Sequence, residues 1–441
     1  LKGHLASAGT PLSLIADLQT VGRDLPERLA LQQLQHLAAL YESLENLEGQ
    51  IAVLKEMTRR FPTAPESADA AELLFQFYSS QELRFLRRKR GSAGLVPDRE
   101  SQVQQAMSRI PGVSVGSSAT LQLGGNTVPK NGIIVQTGER AAQGVSLEGF
   151  MKSNGRDTAA VDEAWDRNAD AALQLLHRLA PNRSMSSRTL LRHAANVRRR
   201  GTMGENSSVL SKAGTGDGLF ALLARAELQS VHGATQTPVP VINLPQVGSK
   251  PVLDGNMTEP IWQDAIELHL AANDESSGPM PDCLVMLAWD ADHVYVAGRI
   301  EFYDGHSNQL DKTAPRHHDA DHKLSDRVKI SFDTDRDFTS AYDFTIDETG
   351  QTSERCWRAK SWNPEWFVAE EADESSWRFE VAIPQTELQN RPISLGDLWA
   401  IRIQRLVPGV LEQSLVNPDP DAGNERTNGF GMLRFIKKRR P

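Results

Sequence analysis

The chain has little cysteine, few aromatic residues and no long apolar run. Its two cysteines among 441 residues, Cys283 and Cys356, exclude a disulfide-dense scaffold. The pair fits either one structural bridge in an exported protein or two buried thiols in a reducing compartment. No stretch approaches the roughly 18 consecutive apolar residues that a membrane-spanning helix needs. With 32 Gly and no triplet period, a collagen-like fibre is excluded as well. A nucleophile elbow, a phosphate loop and a metal-protease signature are all missing. Residue 1 is Leu, so the lack of a leader sequence says nothing about compartment.

What is present is unevenly distributed. Of the 8 Trp only Trp165 precedes residue 250. Residues 251–441 carry 34 Asp and Glu against 20 Lys and Arg, a balance of −14, which leaves +5 for the first 250. Two differently built halves are implied. A balance of +5 is too weak to argue for nucleic acid, and an acidic domain repels a phosphate backbone.

In the first half the apolar residues recur at helical spacing: Leu34, Leu37, Leu40, Tyr41 and Leu44, then Ile51, Leu54 and Met57. Leu37, Ala38, Tyr41, Leu54, Met57 and Pro62 fall at the offsets of a tetratricopeptide repeat, in which small residues let paired helices pack and proline ends the second helix. The spacing predicts helical hairpins over 1–91, and 65–90 reads as a further helix outside the repeat register. Residues 92–155, rich in Gly, Ser, Pro, Asn and Gln, read as a long insertion of low order with short extended runs at 120–123 and 132–136. Helical spacing returns over 156–230. The basic patches at 87–90 and 198–200 suit either an anionic partner or helix C-termini, whose carbonyls attract cations. Stacked hairpins leave a concave face, so a protein-interaction scaffold is expected here.

Residues 231–250, with Pro238, Pro240 and Pro245, read as a linker or an edge strand. Beyond them the period changes to 2. Runs at 283–289, 293–300, 327–332, 342–346, 377–383 and 399–405 read as strands, the first two joined at Asp290-Ala291-Asp292 as a hairpin. The whole is therefore expected to be multidomain: N-terminal all-α hairpins and a C-terminal all-β sandwich over 251–436.

Five motifs in order carry a family resemblance. They are Leu253-Asp254-Gly255 with Glu259, Trp262 and Ala265; Trp289-Asp290 with Tyr295-Val296; Asp326-Arg327-Val328-Lys329-Ile330 ending in Asp333; Glu380-Val381-Ala382-Ile383; and Phe430-Gly431-Met432-Leu433. In this order they resemble carbohydrate-binding module family 9. The resemblance covers the second half and none of the first. It implies a jelly-roll β-sandwich, extracytoplasmic use (secreted, periplasmic or cell-envelope), binding of a polysaccharide or oligosaccharide, a link to carbohydrate catabolism and O-glycosyl hydrolysis, and bound calcium in some members. Members with a sugar site carry two facing tryptophans, one before the Asp-x-Val-x-Ile strand and one in the last loop before Phe-Gly. Residues 322–325 and 417–428 of this chain hold no aromatic.

The sequence offers a substitute. Trp357, Trp362, Asn363, Glu365 and Trp366 combine aromatic faces for sugar C–H surfaces with polar groups for hydroxyls, and Pro364 keeps them off a helix. The same segment also reads as a hydrophobic cap on one end of the sandwich. Trp262, Trp289, Tyr295, Trp377 and Trp399 are assigned to the core or the strand faces. Asp333, Asp335 and Asp337 offer alternate carboxylates for a structural calcium or simply form a solvated acidic turn. His317, His318, Asp319, Asp321 and His322 offer zinc ligands without a fixed spacing. A non-catalytic carbohydrate-binding protein with a helical protein-docking half is the expectation. The alternatives are a glycoside hydrolase using two carboxylates and an envelope assembly protein whose sandwich has lost sugar binding.

Overall fold

The computed structural model describes residues 25–89, 113–115, 120–123, 126–129, 157–201, 203–231, 236–273, 280–303, 319–359, 362–416 and 429–437. Four helices lead: α1 (Glu27–Ser43), α2 (Leu47–Arg60), α3 (Pro65–Ser79) and α4 (Gln81–Lys89). Their ends follow local chemistry. Asn46 caps α2 by accepting the Gly49 N–H at 2.9 Å, Pro65 opens α3, and Arg87, Arg88 and Lys89 fill the last turn of α4. Consecutive helices pack as hairpins. At Gly49 a Cβ would lie 2.5 Å from the Tyr41 ring, so only glycine admits that aromatic between α1 and α2.

The next long helix, α5 (Asp157–Leu179), packs on α3, so the residues between α4 and α5 are an insertion between packing partners. Within it β1 (Val113–Val115), β2 (Thr120–Leu123) and β3 (Asn126–Pro129) form a small antiparallel sheet. The extended run expected at 132–136 lies outside the described residues. After the short α6 (Pro181–Ser184) come α7 (Ser187–Arg199), α8 (Met203–Ala213) and α9 (Leu219–Val231). Among the described residues no helix is long and apolar enough to cross a membrane.

The second half is one mixed sheet of thirteen strands rather than two separate sheets. Its strands are β4 (Val241–Gln246), β5 (Ile266–His269), β6 (Ala271–Ala272), β7 (Cys283–Trp289), β8 (His293–Glu301), β9 (Arg327–Asp333), β10 (Tyr342–Asp347), β11 (Thr352–Cys356), β12 (Phe367–Ala372), β13 (Ser376–Pro384), β14 (Leu398–Val407), β15 (Leu411–Ser414) and β16 (Gly431–Lys437). The main order is β11-β10-β9-β14-β16-β4-β7-β8-β13-β12. Each strand predicted from period 2 is present. Residues of β9, β10 and β14 share one core with residues of β7, β8 and β13, so the sheet curls and its two wings face each other. Two helical turns, α10 (Pro260–Asp264) and α11 (Gln385–Leu388), close its ends.

The segment read as a linker contributes the joining strand. β4 runs parallel to β16 over six residue pairs but meets β7 only at Gln246–Trp289. Pro245, which cannot donate to a ladder, therefore sits where β4 has a partner on one side only. Ile242 and Leu244 alternate into the core, so the edge-strand alternative describes these residues.

The motif residues meet as structural fasteners. Glu380 accepts the N–H groups of Asp254 and Gly255 at 2.9 and 2.7 Å and the Trp262 indole at 2.7 Å. Asp290 holds the β7–β8 turn by accepting from the backbone of Asp292 and His293 and from the Tyr295 hydroxyl. Asp326 and Arg405, both fully enclosed, pair at 2.7 Å across the core. Trp289, Trp377 and Trp399 fill that core, with Trp399 against Phe435 at 4.7 Å. Cys283 and Cys356 are buried without a disulfide. Burial pushes the Cys283 thiol far above its ordinary range.

The described helices pack against the sheet. Leu191 and Ala194 of α7, Leu210 of α8 and Ala224 of α9 pack with Ala400, Phe430 and Met432 of the sheet. Phe75, Phe77 and Tyr78 of α3 belong to the same apolar cluster as the sheet core.

Candidate ligand-binding site

Strand alternation puts Val328, Ile330 and Phe332 of β9 into the core and Lys329 and Ser331 on its outer face. The neighbouring strands do the same, and antiparallel register brings Lys329 opposite Thr345 and Gln404, Ser331 opposite Asp343 and Arg402, and Asp343 opposite Arg355. The result is a compact charged cluster around one carboxylate. Asp343 pairs with Lys329 at 3.0 Å, Arg355 at 2.6 Å and Arg402 at 3.9 Å, and it accepts the Ser331 hydroxyl at 2.6 Å. Burial alone would raise its pKa, but the three cations hold it well below the usual carboxylate range. Burial lowers that of Lys329 in turn.

These groups line a small open cavity of about 40 Å³ together with Phe338, Trp357 and Phe430. The Arg402 guanidinium lies over the Phe430 ring at 4.9 Å. The floor is rigid sheet, the walls carry donors and acceptors of both signs, and aromatic edges border it. A hydroxyl group, donor and acceptor at once, finds both kinds of partner there. No single stretch of sequence announces this site. Its signal is a charge at an outward position on each of four strands, which becomes a cluster only once strand order and register are known.

The aromatic platform expected from sequence is not exposed. Trp357, Trp362 and Trp366 are 7%, 3% and 7% exposed. Trp362 packs on Tyr342 and Phe344 at 4.8 and 5.3 Å, and Trp366 on Phe344 at 5.0 Å. From 362 to 366 the chain is extended and alternates, so the two tryptophans and Pro364 turn inward while Asn363 and Glu365 face solvent. The hydrophobic-cap reading accounts for these positions: their rings cover the open end of the curled sheet and have no face left for a sugar. Only Trp357 reaches the cavity rim, on a left-handed turn residue with φ 52°, and its ring is held by Phe77 of α3.

Asp333, Asp335 and Asp337 are buried rather than solvated, because Glu82 of α4 docks on their turn. Asp333 accepts N–H bonds from Arg336 and Phe338, and Asp335 from Asp337 and Gln81. Asp337 accepts from Thr339 and Ser340, and Glu82 from Thr334. The acids whose oxygens converge within 4.8 Å are Glu82, Asp333 and Asp335, so Asp337 of the expected calcium set stands outside the group. Burial and mutual repulsion push Glu82 and Asp333 well above the carboxylate range and Asp337 up to about 7. Arg192, Arg198, Arg336 and Glu227 surround the turn, with Glu227 paired to both Arg198 and Arg336. What this geometry does is join helix to sheet. Of the histidine cluster, His317 and His318 lie outside the described residues, and His322 is turned to Asp347 at 2.9 Å.

No family model matches the chain, and no curated protein matches it. Among solved structures it is similar to a carbohydrate-binding module family 9 from Caldicellulosiruptor kristjanssonii in complex with cellotriose, at 16% identity and TM-score 0.33 over 45% of this chain and 95% of that one. The same module in complex with glucose gives 15% identity and TM-score 0.32 over 46% and 97% of the two chains.

Proposed function

We propose that the protein is a non-catalytic carbohydrate-binding protein whose sugar site is the cavity around Asp343, with Lys329, Arg355 and Arg402 as hydroxyl-binding partners. The observation that carries this reading is the convergence of one buried carboxylate and three cations on the outer face of a rigid sheet, beside Phe430 and Trp357. The ordered motifs resembling carbohydrate-binding module family 9 support it. A cavity of about 40 Å³ admits the edge of one sugar ring, so the ligand is held at a chain end or branch rather than along a groove. Extracytoplasmic use and a role in polysaccharide breakdown belong to the same proposal.

The hydrolase reading has less behind it. The enclosed acids described above, Asp326, Asp333, Asp337, Glu82 and Glu380, are each engaged by arginine, indole or backbone N–H groups in fastening the fold. A glycan array followed by calorimetry on the full chain tests the proposal. Binding to at least one glycan that is weakened tenfold or more by Arg355→Ala is expected; a blank array with correctly folded protein overturns it.

A further inference from the structure

A second and much larger cavity lies between the helices and the sheet. It measures about 870 Å³ and is lined by eight arginines against four aspartates. Three elements supply the cations: α4 gives Arg84 and Arg88, the end of α7 gives Arg198, Arg199 and Arg200, and the sheet side gives Arg336, Arg391 and Arg434. These include Arg88 of the first basic patch and all of 198–200, patches whose sequence suits either helix capping or anion binding. Folding brings them to one place.

Their carboxylate partners are too few. The single Asp166 carboxylate serves Arg84 at 2.5 Å, Arg199 at 2.9 Å and Arg200 at 3.9 Å. Asp162 serves both Arg88 and Arg84, and Asp397 serves Arg391 at 2.6 Å. Behind the wall Glu227 pairs with Arg198 and Arg336, and Asp170 with Arg200. In the lining itself, among the described residues, arginines outnumber aspartates by eight to four, with Glu205 and Asp333 acting on Arg200 and Arg198 from behind it. Burial and the neighbouring Arg199 lower the pKa of Arg84 to about 10, and burial, Arg84 and Arg199 do the same to Arg88. Arg200 is raised instead, its desolvation outweighed by Asp170, Asp166 and Glu205, so the under-neutralised groups are Arg84 and Arg88.

Hydrogen bonding is short in the same place. The Nε atoms of Arg84, Arg199 and Arg336 are buried with no hydrogen-bond partner among the described residues, as are Asn206 Oδ1 and Ser230 Oγ, all on lining residues. Arg84 is only 5% exposed. A buried N–H without an acceptor is costly and uncommon in a folded protein. The wall thus holds donors in excess of acceptors, which favours an acceptor-rich anion in the cavity.

We propose that this cavity binds a small organic molecule carrying a dianionic oxyanion group, a phosphate monoester or a pair of sulfate or carboxylate groups, in the fork formed by Arg84, Arg88, Arg199 and Arg200. Guanidinium forks match such oxyanions bidentately, and the excess of arginine over aspartate in the lining favours a dianion. The site is separate from the Asp343 cavity and does not depend on it.

The test is calorimetry on the full chain at low salt with inorganic phosphate, a hexose phosphate, a hexose disulfate and a hexarate dicarboxylate as probes; which probe binds identifies the oxyanion. At least one is expected to bind, and to weaken tenfold or more in Arg88→Gln and in Arg200→Gln, both partly exposed rim positions whose loss leaves the fold in place. Arg200→Lys retains part of the affinity, and rising sodium chloride weakens binding steadily. Should either glutamine variant fail to fold, protection of the unmodified protein against thermal unfolding by the same probes, reversed by salt, reads the same site. Absence of binding by all four probes, or affinity unchanged in both folded glutamine variants, overturns the proposal. A neutral glycan that binds and is indifferent to Arg88→Gln bears on the Asp343 cavity alone.

Discussion

The ring of Trp357, on the turn after β11, meets the ring of Phe77 in α3 edge-on at 5.0 Å. This contact is one of several that join the two halves that composition had separated, and it sits beside the cavity proposed for sugar. Helix and sheet therefore share stability. Phe77→Ala is expected to cost about 3–5 kcal/mol and to lower the unfolding midpoint of the sheet as well as the helices. Urea melts followed separately by helical and by tryptophan signals check this; two transitions, with only the helical one moved, would count against shared stability.

The acidic turn under α4 gives the protein an inverted pH response. Glu82, Asp333 and Asp337 bind protons more tightly folded than unfolded, since burial and neighbouring carboxylates raise their pKa values. Their contribution to stability is complete below about pH 4, the unfolded carboxylate value, and is lost as pH rises through about 7 at Asp337. Asp343 works in the opposite sense but only in the acid range, because its folded pKa is depressed. Melting temperature is expected to fall from pH 5 to pH 8, and Asp337→Asn is expected to flatten that slope. A profile that rises over this window would contradict the assignment.

Much of the fold is legible in the residues, and the reason is local. Period 2 in β7, β8, β9, β10, β13 and β14 marks one buried face per strand, and 3.6 spacing marks α1 to α3. The joining strand β4 is legible only as an alternative to a linker, because Pro245 argues against a ladder until its one-sided pairing is known. The site was harder still. Lys329, Asp343, Arg355 and Arg402 are scattered over 74 positions of sequence and meet only through register. The tryptophans of 357–366 were conspicuous as residue types, but burial, which sequence does not display, gives them to the core.

The motif glycine is a second place where sequence pattern and structure agree. Gly255 adopts φ 84°, and a Cβ there would lie 2.8 Å from the Glu371 backbone nitrogen. Gly255→Ala faces both an unfavourable left-handed backbone and a backbone clash, and is expected to destabilise by about 2–4 kcal/mol. Glu380→Gln keeps the shape while weakening the charged clamp on Asp254, Gly255 and Trp262, with an expected loss of about 1–3 kcal/mol. Chemical denaturation of the two variants checks the order; an unperturbed Gly255→Ala would mean that the loop relocates.

Arg405 and Asp326 form an enclosed ion pair that also takes the Trp377 indole N–H at 3.4 Å. Arg405→Met leaves Asp326 charged without its partner and is expected to cost about 3–5 kcal/mol. Replacing both, Arg405→Met with Asp326→Leu, is expected to recover most of that loss, because the desolvation of two charges disappears along with their attraction. A double variant as unstable as the single one would show that the pair also positions Trp377.

The sharpest separation between fold and recognition lies within two strands and a loop. Trp366 packs on Phe344 in the core, so Trp366→Ala is expected to destabilise by about 3–5 kcal/mol while the molecules that remain folded bind sugar normally. Arg355, 30% exposed at the cavity, behaves in reverse. Arg355→Ala leaves Asp343 with Lys329 and Arg402, so the melting temperature stays near that of the parent while sugar affinity falls tenfold or more. Trp366→Phe supplies the control, since it retains a ring in the core and alters no cavity group. Full sugar affinity in Trp366→Phe together with its loss in Arg355→Ala places recognition on the sheet face, whereas lost affinity in folded Trp366→Phe would return it to the aromatic segment.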